Sequence, residues 1–470
     1  MQEGIWSETD DRIARFTPIL FTSIQKVTHY GRLIFGRPST DRCRLDGLHH
    51  VRIRLNRHEM TETTPPVGYI IGLDTWRAAL MLGGVVLHGS TGLPALGLFV
   101  AIDIISQTFR MGTFFGIAGI LTAIALAKRA PGEWLRRRLV RLGFPLAFGM
   151  FILSPFIWLM RTAAGDIAAT DTLFNWYHLW FLAALIAYST IIYALIRLRL
   201  DEALETYLVD LIARKTVRSS TVLLFTAVTS ATLFGIAPRI MAATMSDSTF
   251  ATFRMLQLAA GYLPMFLLGY LVGRVPALKS LLLHQTGTAM MIALAITSSY
   301  MIWFALIAPY ANPAVVASGT ADLRFVAAAI GPPAAFVLIL RSALRVRSVP
   351  SLVQRVSAAS YTIYVLHLPL VVAINLALRD SMVNIYFIYV ISVIISASIA
   401  FAFHEAIVSR SLILLLVLNG NVKRHMAKNA RIGASISHQN EDAEIRFIPG
   451  VTATPGLQAP EHDLDFAQRL

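Results

Sequence analysis

From residue 69 to residue 418 the chain repeats one pattern: an apolar run of about twenty residues, then a short polar break. The runs lie near 69–91, 96–127, 143–161, 176–197, 220–238, 254–273, 285–307, 322–342, 358–378 and 385–418. A helix of about 20 apolar residues spans the hydrocarbon of a bilayer, so the pattern predicts ten transmembrane helices in an all-α polytopic membrane protein. The second and last runs exceed one simple span and are expected to kink, tilt or continue past the membrane. Residues 1–66 are polar and basic (LHHVRIRLNRHEM, then TETTPP) and contain no short apolar run ending in a small-residue cleavage site. They read as a cytoplasmic segment without a cleaved leader. Residues 67–420 form the membrane domain, and 421–470 read as a polar, disordered tail.

Composition strengthens the membrane reading. Of 470 residues, 56% are hydrophobic and 14% charged, with a mean hydropathy of +0.61. A soluble domain carries about a quarter charged residues. The net charge of +14 needs no nucleic acid, because Lys and Arg retained in cytoplasmic loops give the same excess. The basic runs AKRAPGEWLRRRLVR, RLRLDE…ARKTVR and RSALRVRSVPSLVQR fall on one side if both termini are cytoplasmic. The single cysteine, Cys43, excludes an internal disulfide framework and a thiolate metal site. No metal site of any kind is expected.

Polar residues inside the apolar runs are the candidates for chemistry, because charge in hydrocarbon is expensive and usually lines a bundle interior or a wet cavity. The first run, GLDTWRAALMLGGVVLH, carries Asp74, Arg77 and His88. At about 100° per residue these project from one helical face, with Arg77 and His88 about 16 Å apart along the axis. His88 is either a general base for an attacking hydroxyl or a hydrogen-bonding partner for a neighbouring helix. Asp74 and Arg77 have the spacing of a structural ion pair. Arg138 and Arg141, in RRRLVR, offer planar forks suited to phosphate oxygens, although any cytoplasmic loop is basic. Arg110, deep in SQTFRMGTFFGIAG, owes nothing to orientation signals and is a functional candidate. His178 stands at an external helix start beside Trp176, Tyr177 and Trp180, which read as an aromatic belt. His367 precedes Pro369 in mid-span, and His404 and Glu405 are polar in the last run. No phosphate-binding glycine loop, GxSxG elbow or HExxH is present.

In order and spacing these stretches resemble the membrane acyltransferase 3 family. Its Arg, ten residues, His signature is matched by Arg77 and His88, and its cytoplasmic RxxR by Arg138 and Arg141. FRMGTFFGIAGILTA, HLWFLAAL, PMFLLGYLVGR and SYTIYVLHLPLVV extend the resemblance over about 69–420. FRMGTFFGIAG, RRRLVRLGFPLAFG and HEAIVSRSLILLLVLNG look most like the branch that succinylates osmoregulated periplasmic glucans. The resemblance implies an O-acyltransferase of the bacterial inner membrane that moves an acyl group from cytoplasmic acyl-CoA to a periplasmic glucan. It implies Arg138 and Arg141 at the nucleotide phosphates, a pantetheine arm passing Arg77, and His88 at the thioester. Acyl-CoA is then a donor substrate, and no permanently bound cofactor is implied.

If the acyl group is succinyl, its carboxylate must be paired within the membrane. Arg110, Arg239 and Arg254 are the candidate cations, and His178, Trp180 and His367 candidate contacts to the acceptor. Three other readings stand beside this one, of which a non-catalytic assembly partner of a glucan synthase would survive loss of His88 and Arg138. The same machinery could acetylate lipopolysaccharide or another surface polysaccharide, and a secondary transporter could use the same buried charges for an organic anion or glucan. No inverted repeat of the transporter kind is visible in the sequence. The partners expected are acyl-CoA, the glucan and the bilayer, and a homodimer is compatible with the pattern.

Overall fold

The computed structural model describes residues 71–94, 96–166, 172–246, 257–307 and 321–420. The chain divides into Met1–Pro66 and Val67–Leu470, and all of the described residues belong to the second unit. Arg254, one of the candidate cations, lies outside the described residues.

Every regular element among the described residues is a helix. In order they are α1 Ile71–His88, α2 Gly97–Leu126, α3 Pro131–Phe148, α4 Ser154–Ala163, α5 Trp180–Arg197, α6 Leu200–Ala213, α7 Ser219–Thr244, α8 Gln257–Arg274, α9 Pro276–Leu283, α10 Gly287–Leu306, α11 Ala321–Arg345, α12 Ser351–Leu378, α13 Ile385–Ala406 and α14 Leu412–Asn419. By length and composition seven helical stretches can cross a bilayer, or eight if the bent pair α8–α9 counts as one. Neither α1, with its three ionisable residues, nor α11 is among the seven.

The surface is apolar, as a lipid solvent requires: Phe225, Ile240, Ile292, Ile296, Phe387 and Ile394 all lie exposed. With no water to drive helices together, membrane helices associate through close packing of small residues. α2 and α8 do this at the centre of the fold. A Cβ at Gly269 would fall 1.9 Å from the Gly116 carbonyl, and one at Gly119 would fall 2.2 Å from the Phe266 carbonyl. Gly112, on the same side of α2, admits Pro332 of α11.

Three breaks differ from a simple reading of the apolar runs. The basic run RRRLVR is helical, because α3 begins at Pro131, twelve residues before the expected span. The same rod passes through a π turn at Gly149–Leu153 into α4. Pro155, near the start of α4, has no N–H to give to the preceding turn, which accounts for the wider turn there. The expected last segment, 385–418, is α13 and α14 separated by a 3-10 turn at Val408–Arg410. The α8–α9 pair turns through 110°. Val275 there is extended, as the residue before a proline prefers.

Candidate active site

The C-terminal end of α1 carries His88, and two further histidines meet it there. His88 and His367 have ring centroids 5.4 Å apart, His88 and His178 6.1 Å, and His178 and His367 4.9 Å. His178 and His367 are wholly buried, whereas His88 is only partly so.

Each ring is placed by local backbone chemistry. His178 sits in a 3-10 turn, Tyr177–Leu179, entered through Tyr177 at φ +37°. That left-handed conformation is costly for a residue with a bulky side chain. Surrounding bonds hold it. The Tyr177 N–H donates to Asn175 Oδ1 at 3.1 Å, and the Asn175 N–H donates to Ser154 Oγ at 2.7 Å. His367 lies on α12, with Nδ1 2.5 Å from the Tyr364 carbonyl. Two residues later Pro369 interrupts the ladder. Lacking an N–H, it leaves the Val365 carbonyl without its helical donor. The Val365 and Tyr364 carbonyls are the ones that approach the His178 ring. Neither ring nitrogen of His178, nor Nε2 of His367, makes a hydrogen bond of normal geometry.

His88 is fixed through the backbone around it. Asn375 of α12 donates from Nδ2 to the carbonyls of Gly89 and Thr91, each at 2.8 Å. Ser392 of α13 hydrogen-bonds Asn375 Oδ1, and the Tyr389 hydroxyl donates to the Val86 carbonyl at 2.8 Å.

Below the histidines lies Arg110 of α2, only 6% exposed. Its Nε donates to Ser106 Oγ at 2.7 Å, and its guanidinium also reaches the Tyr364 hydroxyl. That hydroxyl donates in turn to the His178 carbonyl at 3.1 Å. Gly83 and Gly84 of α1 make the room: a Cβ at Gly84 would lie 2.8 Å from the Tyr364 ring and 3.2 Å from Arg110 Nη1. A narrow crevice remains between Leu80, Met81, Arg110, Met111, Phe114, Phe181 and Tyr364.

The other end of α1 gathers cations. Arg77 pairs with Asp74 at 3.0 Å. Arg77, Arg138 and Arg141 lie within electrostatic reach of one another and of the Tyr361 hydroxyl. Asp74 is the carboxylate within reach of Arg77 and Arg141. Arg138 Nε and the Tyr361 hydroxyl are buried without hydrogen-bond partners. The planar forks of such a set suit phosphate or carboxylate oxygens.

The structure brings His88, His178 and His367 together, and Asp74, Arg77, Arg138 and Arg141 together. Other expected residues fall elsewhere. Arg110 stands with the histidines, through Tyr364, rather than with the arginines at the other end of α1. Trp180 is not in an interfacial belt: it is 6% exposed, packed against Tyr262 and Phe115. Arg239 is exposed on α7, where Nη1 donates to the Gly235 carbonyl at 3.2 Å. His404 and Glu405 are structural, one bonded to Thr362 at 2.9 Å and the other paired with Arg355 at 2.7 Å. Sequence reasoning passed over Tyr361, Tyr364 and Asn375. Their spacing with His367 on one apolar helix was the available signal. No group of three or more His, Cys, Asp or Glu suited to a metal ion occurs among the described residues.

Residues 70–403 match the acyltransferase domain family Acyl_transf_3. The chain is also 29% identical over 236 residues to "Glucans biosynthesis protein C" of Escherichia coli O157:H7 and of its strain EC4115. That alignment takes in 44% of this chain and 59% of the length of those relatives. No solved structure matches.

Proposed function

The chain belongs to the Acyl_transf_3 family of acyltransferases, and on that premise we propose that it is a multi-pass inner-membrane enzyme transferring an acyl group, succinyl in our reading, from acyl-CoA to hydroxyl groups of a periplasmic glucan. The single observation that carries this is the division of labour along α1. An arginine cluster with too few carboxylates occupies one end, and a histidine cluster occupies the other, about 16 Å away. A long, narrow, anionic thioester fits that arrangement. In this reading both termini and the arginine end are cytoplasmic, and all ten apolar runs cross the bilayer.

Arg138 and Arg141 bind the nucleotide phosphates, with Tyr361 and Arg77 beside the entering arm. His88, the most accessible of the three imidazoles, takes the proton from a glucan hydroxyl as the oxygen attacks the thioester carbonyl. The C–O bond forms and the C–S bond breaks. The electron pair leaves on the CoA sulfur, and the imidazolium returns its proton to that thiolate. Arg110, held by Ser106 and Tyr364, faces the acyl chain. His178 and His367 hold the third ring in place. The acceptor follows from the name of the related "Glucans biosynthesis protein C".

The test is purified protein in detergent with succinyl-CoA and soluble β-glucan, read by free CoA thiol and by the mass of the glucan. Release of CoA with a gain of succinyl mass is expected. A transporter would release no CoA, and a gain of acetyl mass from acetyl-CoA alone would make the enzyme an acetyltransferase.

A further inference from the structure

Arg110 stands out among the buried groups because its charge is unanswered. It is 6% exposed, yet it forms no ion pair among the described residues; its partners are Ser106 Oγ and the Tyr364 hydroxyl, both neutral. Asp103, two turns earlier on α2, is within its electrostatic reach, but its carboxylate accepts a 2.7 Å bond from Gln107 instead. A buried cation without an anion is costly, so a protein keeps one where a ligand completes it.

The surroundings of the guanidinium are built rather than accidental. Two successive glycines, Gly83 and Gly84, let it lie against α1, and a methyl group at Gly84 would close on both Arg110 and Tyr364. Beside it the crevice is lined by Leu80, Met81, Met111, Phe114 and Phe181. These walls suit methylene groups, and Arg110 is the one charged residue lining it. Along α1, Gly84 precedes His88 by one turn, about 6 Å of axial rise. A short dicarboxylic acyl chain bridges that rise; an acetyl group does not.

We infer that this crevice is the acyl subsite and that Arg110 is the receptor for the terminal carboxylate of a dicarboxylic acyl group, so that the enzyme selects half-thioesters of short diacids over neutral acyl donors. The inference rests on the acyl-CoA reading above. Arg110 would then fix the acyl chain so that the thioester carbonyl meets His88. Tyr364 would keep the guanidinium aimed into the crevice.

The experiment compares succinyl-CoA with acetyl-CoA as donors for the full-length protein in detergent and in native membranes. The ratio of the two rates is independent of how much protein is folded. Wild type should favour succinyl-CoA. Arg110→Gln should lower the succinyl-to-acetyl ratio by about 30-fold or more, the loss of charge-assisted hydrogen bonds. Gly84→Ala, which narrows the crevice and keeps the charge, should lower the same ratio if Arg110→Gln cannot be recovered. Wild-type preference for acetyl-CoA, or an unchanged ratio in the variant recovered, overturns the subsite. No CoA release by wild type from either donor overturns the acyltransferase reading itself.

Discussion

The side-chain nitrogen of Asn375 lies 2.8 Å from the carbonyl oxygen of Gly89, the residue that follows His88. The same nitrogen reaches the Thr91 carbonyl, so one amide closes off the end of α1. A helix end leaves its last carbonyls without partners. Here Val86 and His88 are answered by the turn N–H groups of Gly89 and Thr91 and by the Tyr389 hydroxyl, and Asn375 of α12 fixes that turn, so the end of α1 is held where its imidazole meets the other two.

Asn375→Leu keeps the volume and removes the donors. Two buried carbonyls then lose their partner, at a cost of about 1–3 kcal/mol. Transfer should fall roughly tenfold or more through kcat, with little change in KM for the donor. Steady-state rates of CoA release check this, and an equal change in KM would mean that Asn375 acts on donor binding instead.

His88→Ala removes the proposed base. Transfer should drop by roughly 10² to 10⁴-fold, while the protein still elutes from detergent as an intact species. Glucan from cells carrying this variant should be made but lack acyl substituents, which charge-sensitive chromatography of the glucan reads directly.

Arg138→Ala and Arg141→Ala should act on the donor. Each loses charge-assisted bonds of about 1.5–3 kcal/mol, equal to roughly ten- to a hundredfold in KM for acyl-CoA. Raising salt should weaken the wild-type donor affinity in the same direction, because exposed charges are screened. A lower kcat with unaltered KM would remove these arginines from the donor site.

Gly269→Ala tests the scaffold. Its new methyl would sit 1.9 Å from the Gly116 carbonyl, backbone that cannot swing aside. Overpacking of this kind costs about 1–3 kcal/mol or more. A lower midpoint of thermal unfolding in detergent is expected. By contrast Glu405→Gln breaks only the half-exposed pair with Arg355 and should shift stability by about 1 kcal/mol or less.

The helices themselves were legible because burial in lipid writes length into composition, and ten runs of apolar residues correspond in position to the long helices described. The face shared by Asp74, Arg77 and His88 was legible for the same reason: periodicity on one helix is local. What brings His178 and His367 to His88 is not local. It depends on a left-handed Tyr177, on the carbonyl released by Pro369 and on helices packed through glycine, none of which has a period. Trp180 reads as a belt residue because sequence gives depth in the membrane but not azimuth. Trp180 begins its helix as a belt residue would, yet points inward to Tyr262. Tyr364 was overlooked because an aromatic in an apolar helix looks like packing until its hydroxyl is seen to join Arg110 to the turn bearing His178.

The eleven-residue offset between Arg77 and His88 makes α1 a ruler that is read by phase. One inserted residue lengthens it by only about 1.5 Å but swings the imidazole through about 100°, off the other two rings altogether. In the proposed reading the reach of the donor arm can therefore be tuned only in steps of three or four residues, near whole turns, because every intermediate length turns the imidazole away from the site.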